Sequence, residues 1–474
     1  MSAPAPRLGA TTRFTLAELL AATGGELAAP GSAIEFRGVT SDSRALAAGE
    51  LFVAIRGETH DGHAFVAQAA ERGAAAVLVE SGAATGPLPC GVVAVRDTLA
   101  ALGDLAAWHR KRSPAQVLAV AGSNGKTTTK EMLAEILRHA FGADAVLQTV
   151  GTQNNLVGLP FTLLRLGHER VAVVELGMNG PGEVWRLAQI AAPDAGVITC
   201  VAPEHLEGVG SLHGAAEAEA ELFRRLRPSA TAVVNADDPL VAAAAGCVSG
   251  TVLRFGTGGD VAAAELVDRG YEGTTFELRV GEERTAVRLP IPGRHNVTNA
   301  LAAAAMAHAA GAPLAAIRSG LEAFTSPGMR MEVVRLPSGV TVLNDAYNAN
   351  PASMAAALQT LTASAAGRRL AALGDMLELG DTTEAAHREL GTVAAAANLD
   401  ALFLLGAQAA LVEAGALAAG MARERIVRAT DHETLGRALS AACHAGDLVL
   451  LKGSRGSAME KLLVVLAGEG EGER

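Results

Sequence analysis

Aromatic side chains are scarce in this chain: two Trp, two Tyr and eleven Phe make up 3% of its 474 residues. Single-stranded nucleic acid is bound largely by bases stacking on aromatic rings, so that class of partner is disfavoured. Positive charge is short as well. The formal net charge is -11, with no basic stripe of the kind a phosphate backbone demands, which argues against a nucleic-acid motor or any general polyanion binder. The four cysteines, Cys90, Cys200, Cys247 and Cys443, are scattered without a CxxC pair, so neither a zinc site nor a disulfide framework is indicated. No uninterrupted apolar run approaches the roughly 20 residues of a membrane span. The opening MSAPAPRLGATTR lacks the apolar centre of a signal peptide, and a cytoplasmic location is expected. The last residues, GEGEGER from Gly468, are expected to fray.

What the chain does hold is Ala, Val and Leu: half its residues are hydrophobic, a composition suited to helices packed on parallel sheets. Its length suggests about three domains at roughly 150 residues each. The expected borders are 1–113, 114–327 and 328–474. The expected fold class is α/β, with a small first domain, a central P-loop ATPase-like domain on a mainly parallel sheet, and a Rossmann-like third domain.

The chain is organised around Val117 to Ile136, VLAVAGSNGKTTTKEMLAEI. An apolar run ends in a small-residue loop, and Met132, Leu133, Ile136 and Leu137 then recur at helical spacing. Strand, loop and helix in that order make a phosphate site. Gly122 and Gly125 admit the phosphate close to the backbone, and consecutive N–H groups and the helix N-terminus stabilise its charge, with Ser123, Asn124, Thr127 and Thr128 as candidate nucleotide-binding residues. Lys126 adds a cation, and the Thr127 hydroxyl can serve Mg2+. The general pattern places a glycine where Val120 stands, so this is a shortened variant; a glycine turn without nucleotide is the competing reading.

Residues 14 to 112 alternate strands and helices around Leu51 to Ile55, Ala75 to Val79 and Val92 to Val95. There Ser43 and Arg44 read either as phosphate ligands or as ordinary surface residues. From Ala115 to Pro327 the strands VLAVAG, VAVVELG, AGVITCV and TAVVNAD point to a parallel sheet whose carboxyl ends hold ligands. Glu175, His205, Glu207 and Asn235 to Asp238 follow those strands. Glu175 and His205 are expected to share the crevice of Lys126 and Thr127 and hold Mg2+ there. Asn154 and Asn155 can meet a peptide-like substrate or form an Asx turn. Asn296 and Asn299 can read a base edge or cap a helix. The third unit repeats the pattern with strands at Val340 to Leu343, Leu370 to Leu373, Leu402 to Leu405 and Leu448 to Leu451. NDAYNANPASM, GDMLELG and KGSRGSAME follow three of these strands, and no GxGxxG fingerprint is present.

These motifs resemble, in order and over essentially the whole chain, those of the Mur ligases, ATP-dependent amide-forming enzymes of peptidoglycan precursor synthesis. They are VTSDSR and GELFVAIRGETHDGH; then GSNGKTTTKE, NNLVGLP, VVELGMNGPGE, EHLEGVGS and PGRHNVTNALAA; then PGMRMEVV, NDAYNANPASM, GDMLELG and KGSRGSAME. Within the family they are similar to the branch that adds D-alanyl-D-alanine to UDP-N-acetylmuramoyl-tripeptide. The Thr-Thr-Pro and Asp-Asn-Pro-Arg motifs of the branch adding a single third amino acid are missing, and GKTT replaces the GKGS of folate relatives. The resemblance implies that Lys126 touches the terminal phosphates, Thr127 and Glu175 serve one Mg2+, and His205 serves a second or accepts the amine proton. It implies that Asn299 reads adenine, Asp345 the ribose hydroxyls, and Arg330 the phosphates from the third domain. Ser43 and Arg44 fall where the uridine diphosphate is held, Asn154 and Asn155 near the tripeptide, Tyr347 and Asn348 near the dipeptide. A monomer is expected, as is common in the family. A nucleotide-binding partner that kept the fold without turnover is the alternative.

One position departs from the pattern. Many members carry a lysine that becomes carbamylated four residues before an aromatic, and counting back from Phe223 in GAAEAEAELF gives Glu219. Either Glu219 supplies the second metal's anionic oxygens directly, or it is one of several surface acids beside Glu217 and Glu221. On the first reading, decarbonated protein gains no activity from added bicarbonate; marked activation contradicts it.

Overall fold

The structure, a computed structural model, describes residues 13–468 apart from 32, 34 and 58. The expectations for the first dozen residues and for the charged tail lie outside them. The phosphate-loop strand, Gln116–Ala121, sits inside a nine-stranded sheet, flanked by Val171–Glu175 and Ala195–Ile198 in parallel register. Continuous Val, Leu and Ala let these strands be covered on both faces, which is why they read as apolar runs without alternation. The chain leaves Gln116–Ala121 toward the Val146–Gln148 edge and later returns on the other side, through Ala195–Ile198 and Thr231–Asn235. Sequence order therefore reverses beside the phosphate loop, and a crevice opens at the carboxyl ends there.

The sheet runs further than expected. Thr251–Phe255 and Val261–Asp268 continue it in parallel, and Thr274–Val280 and Glu283–Leu289 follow in antiparallel pairing. Their sequence signal is weak because only one face is covered: Thr274–Val280 alternates buried and half-buried positions, a pattern less distinct than an apolar run.

The first unit has a five-stranded sheet in the order Glu26–Ala29, Gly91–Val95, Ala76–Glu80, Leu51–Val53, Val39–Thr40, parallel except at its first strand. Its last helix, Thr98–Arg112, shares a core with the central unit through Leu102, Leu105, Leu187 and Ile190. Arg110, buried at that joint, donates to Asp194 Oδ2 at 2.8 Å. The third unit is a six-stranded sheet in the order Glu332–Arg335, Thr341–Asp345, Leu448–Lys452, Arg369–Leu373, Ala401–Leu405, Ile426–Ala429. All its pairs are parallel except the first. Among the described residues no helix is long and apolar enough to cross a membrane.

The loop helix, Lys126–Phe141, is fixed from behind by Leu314–Ala323. Gly320 makes that contact possible, since a Cβ there would lie 2.4 Å from Ile136 Cα. Gly320→Val is expected to cost about 1–3 kcal/mol by overpacking and to lower the thermal unfolding midpoint; an unchanged midpoint contradicts this packing.

Candidate active site

The carboxyl ends of the central and third sheets face each other across a cleft of about 640 Å³. From the central side come Ser123 to Thr128, Asn154, Asn155, Glu175, His205 and Asn299; from the other, Arg330, Asp345, Tyr347 and Asn348. Most residues singled out in the sequence thus line one cavity. Ser43 and Arg44 do not. Ser43 is buried and donates to Gln68 Oε1 at 2.6 Å, while exposed Arg44 forks onto Asp42 with two bonds of 2.9 Å.

The loop is held open from below. Gly125, at φ +83°, caps the helix in a conformation L side chains avoid, and a Cβ there would meet Asn299 Oδ1 at 2.2 Å. Ser123 N–H donates to Cys200 O at 2.8 Å, and the Thr199 hydroxyl donates to Asn124 O at 2.6 Å. Lys126 Nζ donates to Gly122 O at 2.6 Å and Ser123 O at 3.1 Å, with Glu204 Oε2 3.5 Å away. Burial disfavours its charge, but Glu204, Glu219 and Glu175 outweigh that effect and its pKa is raised. The ammonium stays charged and ready for an anion.

Thr127 Oγ1 and Asn154 Nδ2 both donate to Glu175 Oε1, at 3.1 and 2.8 Å. Asn154 therefore serves the carboxylate, while Asn155 forms the Asx turn, its Oδ1 accepting from Val157 and Gly158 N–H. Glu175 Oε2 is buried with no hydrogen-bond partner, and Lys130 Nζ lies 4.0 Å away. An orphaned carboxylate oxygen beside a threonine hydroxyl in a phosphate loop fits a hard divalent cation such as Mg2+. His205 does not complete that pair: its Nδ1 meets Glu378 Oε2 of the third unit at 2.5 Å, and its Nε2 is 3.7 Å from Glu204 Oε1. Thr127, Glu175 and His205 all line the expected common crevice, His205 at its seam between units. Among the described residues no three His, Cys, Asp or Glu side chains form a ready metal cage.

Asn296 and Asn299 do not cap their helix by side chain: Asn296 donates to Pro292 O at 2.6 Å, and Asn299 to Asn296 Oδ1 at 2.9 Å. Across the cleft, Lys452 Nζ meets Asp345 Oδ2 at 2.6 Å, from strands paired at those two residues. The Arg330 guanidinium lies 3.9 Å over the Tyr347 ring. Asn348 reaches toward Glu204 Oε1 at 3.4 Å, and Asn350 Nδ2 donates to Asn124 Oδ1 at 2.8 Å.

Thr152, Glu204, Asn350 and Lys452 also line this cleft, and Lys130 lies buried behind it, 4.0 Å from Glu175.

Glu219 is no surface acid. It is 2% exposed, does not line the cleft, and its Oε2 accepts the Gly122 N–H at 2.7 Å. Neighbouring Glu217 pairs with Arg224, and Glu221 accepts from Gly182 and Trp185 N–H.

The cleft and its loop define a P-loop α/β protein built to hold a nucleotide's phosphates between two units. Family models agree. Those described as Mur ligase family, catalytic domain; Mur ligase middle domain; and Mur ligase, glutamate ligase domain match residues 35–110, 120–307 and 329–455. The UDP-N-acetylmuramoyl-tripeptide–D-alanyl-D-alanine ligase of Bacillus subtilis is 39% identical over 429 residues, covering 90% of this chain and 92% of its own. That of Escherichia coli is 39% identical over 463 residues, covering 96% and 99%. A crystal structure of MurF from Acinetobacter baumannii superposes with a TM-score of 0.87 at 32% identity, over 98% of this chain and 100% of that one. MurF from Thermotoga maritima in complex with ADP gives 0.81 at 26% identity, over 91% and 97%. The chain belongs to the Mur ligase family.

Burial, reinforced by Glu204 and opposed by Lys126 and the Gly122 N–H, lifts the Glu219 pKa to about 7. Its folded value exceeds the ordinary one, so its contribution to stability is full below about pH 4.5 and is lost as pH rises through about 7. Glu219→Gln keeps an acceptor for Gly122 and does not titrate. The variant's stability relative to wild type is expected to rise by about 3 kcal/mol between pH 4.5 and 8; a gap that does not change with pH contradicts this.

Proposed function

We propose that this chain joins D-alanyl-D-alanine to UDP-N-acetylmuramoyl-tripeptide at the expense of ATP, releasing ADP, phosphate and the pentapeptide, a step of peptidoglycan precursor synthesis. The carrying observation is the cleft in which Lys126, Thr127 and Glu175 confront Arg330, Asp345 and Lys452 from another sheet. The names of the relatives, at 39% identity over nearly whole chains, support the same reading.

The terminal carboxylate of the tripeptide attacks the γ-phosphoryl group of ATP, giving an acyl phosphate and ADP. The dipeptide amine adds to the acyl carbon, the tetrahedral intermediate expels phosphate, and the amine proton passes to a base. Both reactants of the first step are anions. Cations must therefore flank the transferred group, the role we assign to Lys126 from the loop and Arg330 from the third unit. Thr127 and Glu175 would hold Mg2+, whose charge offsets that of the phosphates. His205 is the base or the holder of a second ion; a proton on Nδ1 satisfied by Glu378 leaves Nε2 as the lone-pair nitrogen. Asn299 faces the adenine, Asp345 the ribose and Asn348 the dipeptide, while Asn154 and Asn155 shape the loop beside the tripeptide through Glu175 and the Asx turn. Glu219 holds the loop by its first amide. Residues 1–113, with Ser43 and Arg44, take the uridine diphosphate end; 114–327 take ATP; and 328–474 close over it, shielding the acyl phosphate from water.

The test is phosphate release from ATP with the tripeptide, with and without D-alanyl-D-alanine, followed by mass analysis. Release that depends on the dipeptide and yields pentapeptide is expected, and Lys126→Ala should abolish it. Tight ATP binding with no release contradicts the reading and favours a partner without turnover.

A further inference from the structure

Arg330 is the one guanidinium assigned to the phosphates, and its backbone is pinned on every side. Met329 and Met331 are both left-handed, at φ 49° and 53°. Ser326 Oγ donates to Arg330 O at 2.6 Å, Met329 N–H to Glu332 Oε2 at 3.0 Å, and Met331 N–H to Asp345 Oδ1 at 3.0 Å. Two non-glycine departures flanking one arginine are conformations that persist only where the surroundings enforce them.

The side chain is set by a different element. Tyr347 follows the strand Thr341–Asp345, and its N–H donates to Met329 O at 3.0 Å. Its ring lies 3.9 Å beneath the Arg330 guanidinium, and its hydroxyl crosses to the central unit and donates to Thr152 Oγ1 at 2.8 Å. The loop that carries Thr152 is fixed in turn. Lys130, fully buried on the phosphate-loop helix, donates to Thr149 O at 2.9 Å and Gly151 O at 3.0 Å. Asn154 of the same loop holds Glu175.

We infer that Tyr347 is a positioning residue that fixes Arg330 over the cleft when the third unit is seated on the central one, with Thr152 as its contact across the seam. This rests on the ligase reading above, through the role given there to Arg330. It replaces the expectation that Tyr347 receives the dipeptide, because its hydroxyl and the ring face toward Arg330 are already engaged. A tyrosine stacked under a guanidinium restricts that group's rotation. The hydroxyl's bond to Thr152 is available only where the two units meet, so it ties the alignment of the arginine to closure. A residue that acts this way lowers turnover when changed and leaves substrate affinity nearly intact.

The experiment measures kcat and each substrate's KM for wild type, Tyr347→Phe, Thr152→Val, their double variant and Tyr347→Leu. Tyr347→Phe and Thr152→Val remove the same bond, so each should lower kcat about fivefold with KM values within about twofold. The double variant should be no worse than either single one. Tyr347→Leu also loses the stack and should fall about tenfold further. Multiplicative losses in the double variant, a raised KM for the dipeptide at unchanged kcat, or wild-type turnover in Tyr347→Phe overturns the inference while the ligase reading stands. Wild-type protein that makes no pentapeptide overturns the ligase reading, and this inference with it. If Tyr347→Leu fails to fold, the Phe and Val variants still decide.

Discussion

Two anions must react in this cleft, and that constraint organises the molecule. A carboxylate approaches a triphosphate only where positive charge surrounds the transferred group, and no single element here carries enough of it. On the proposed reading, the phosphate loop supplies Lys126 and the amides at a helix N-terminus, and the third unit supplies Arg330 and Lys452, which line the same cleft. In the structure Lys126 faces Glu204 and Lys452 pairs with Asp345, while Arg330 lies over the Tyr347 ring. An incoming phosphate can take over a carboxylate's place beside either lysine.

Splitting the charges between two sheets makes closure part of the chemistry. On its cleft side the seam carries polar contacts, from Tyr347 to Thr152, Asn350 to Asn124 and Glu378 to His205, and behind them one apolar core runs on from the central unit into the third. The backbone shows where geometry is enforced: His205, Met329, Met331 and Glu378 all adopt left-handed conformations, at about 1–2 kcal/mol each. All four border the cleft or its seam.

How much of this was legible follows from how local each feature is. The phosphate loop could be read because strand, glycines, Lys126 and Thr127 are contiguous. The parallel strands could be read because full burial writes itself as runs of Val, Leu and Ala. Thr274–Val280 and Glu283–Leu289 were not, since one exposed face mixes polar residues into them. Lys130 looks like any solvated helix lysine until Thr149 and Gly151 fold over it. Glu219 belongs to an acidic run, Glu217 to Glu221, in which only a helix packed against the loop decides which acid turns inward. Asn154 and Asn155 are adjacent and chemically identical, yet one supports Glu175 and the other a turn. Partners distant in sequence set those roles, and no local pattern encodes them.

The central claim is that the tripeptide carboxylate itself takes the phosphoryl group inside this closed cleft. Tripeptide labelled with 18O in both oxygens of its terminal carboxylate tests it directly. Attack on the γ-phosphoryl group, followed by amine addition, sends one labelled oxygen into inorganic phosphate and leaves the other in the new amide. Label in phosphate, in proportion to pentapeptide formed, is the expected result. Label in AMP, or phosphate without label beside fully formed pentapeptide, would contradict the account.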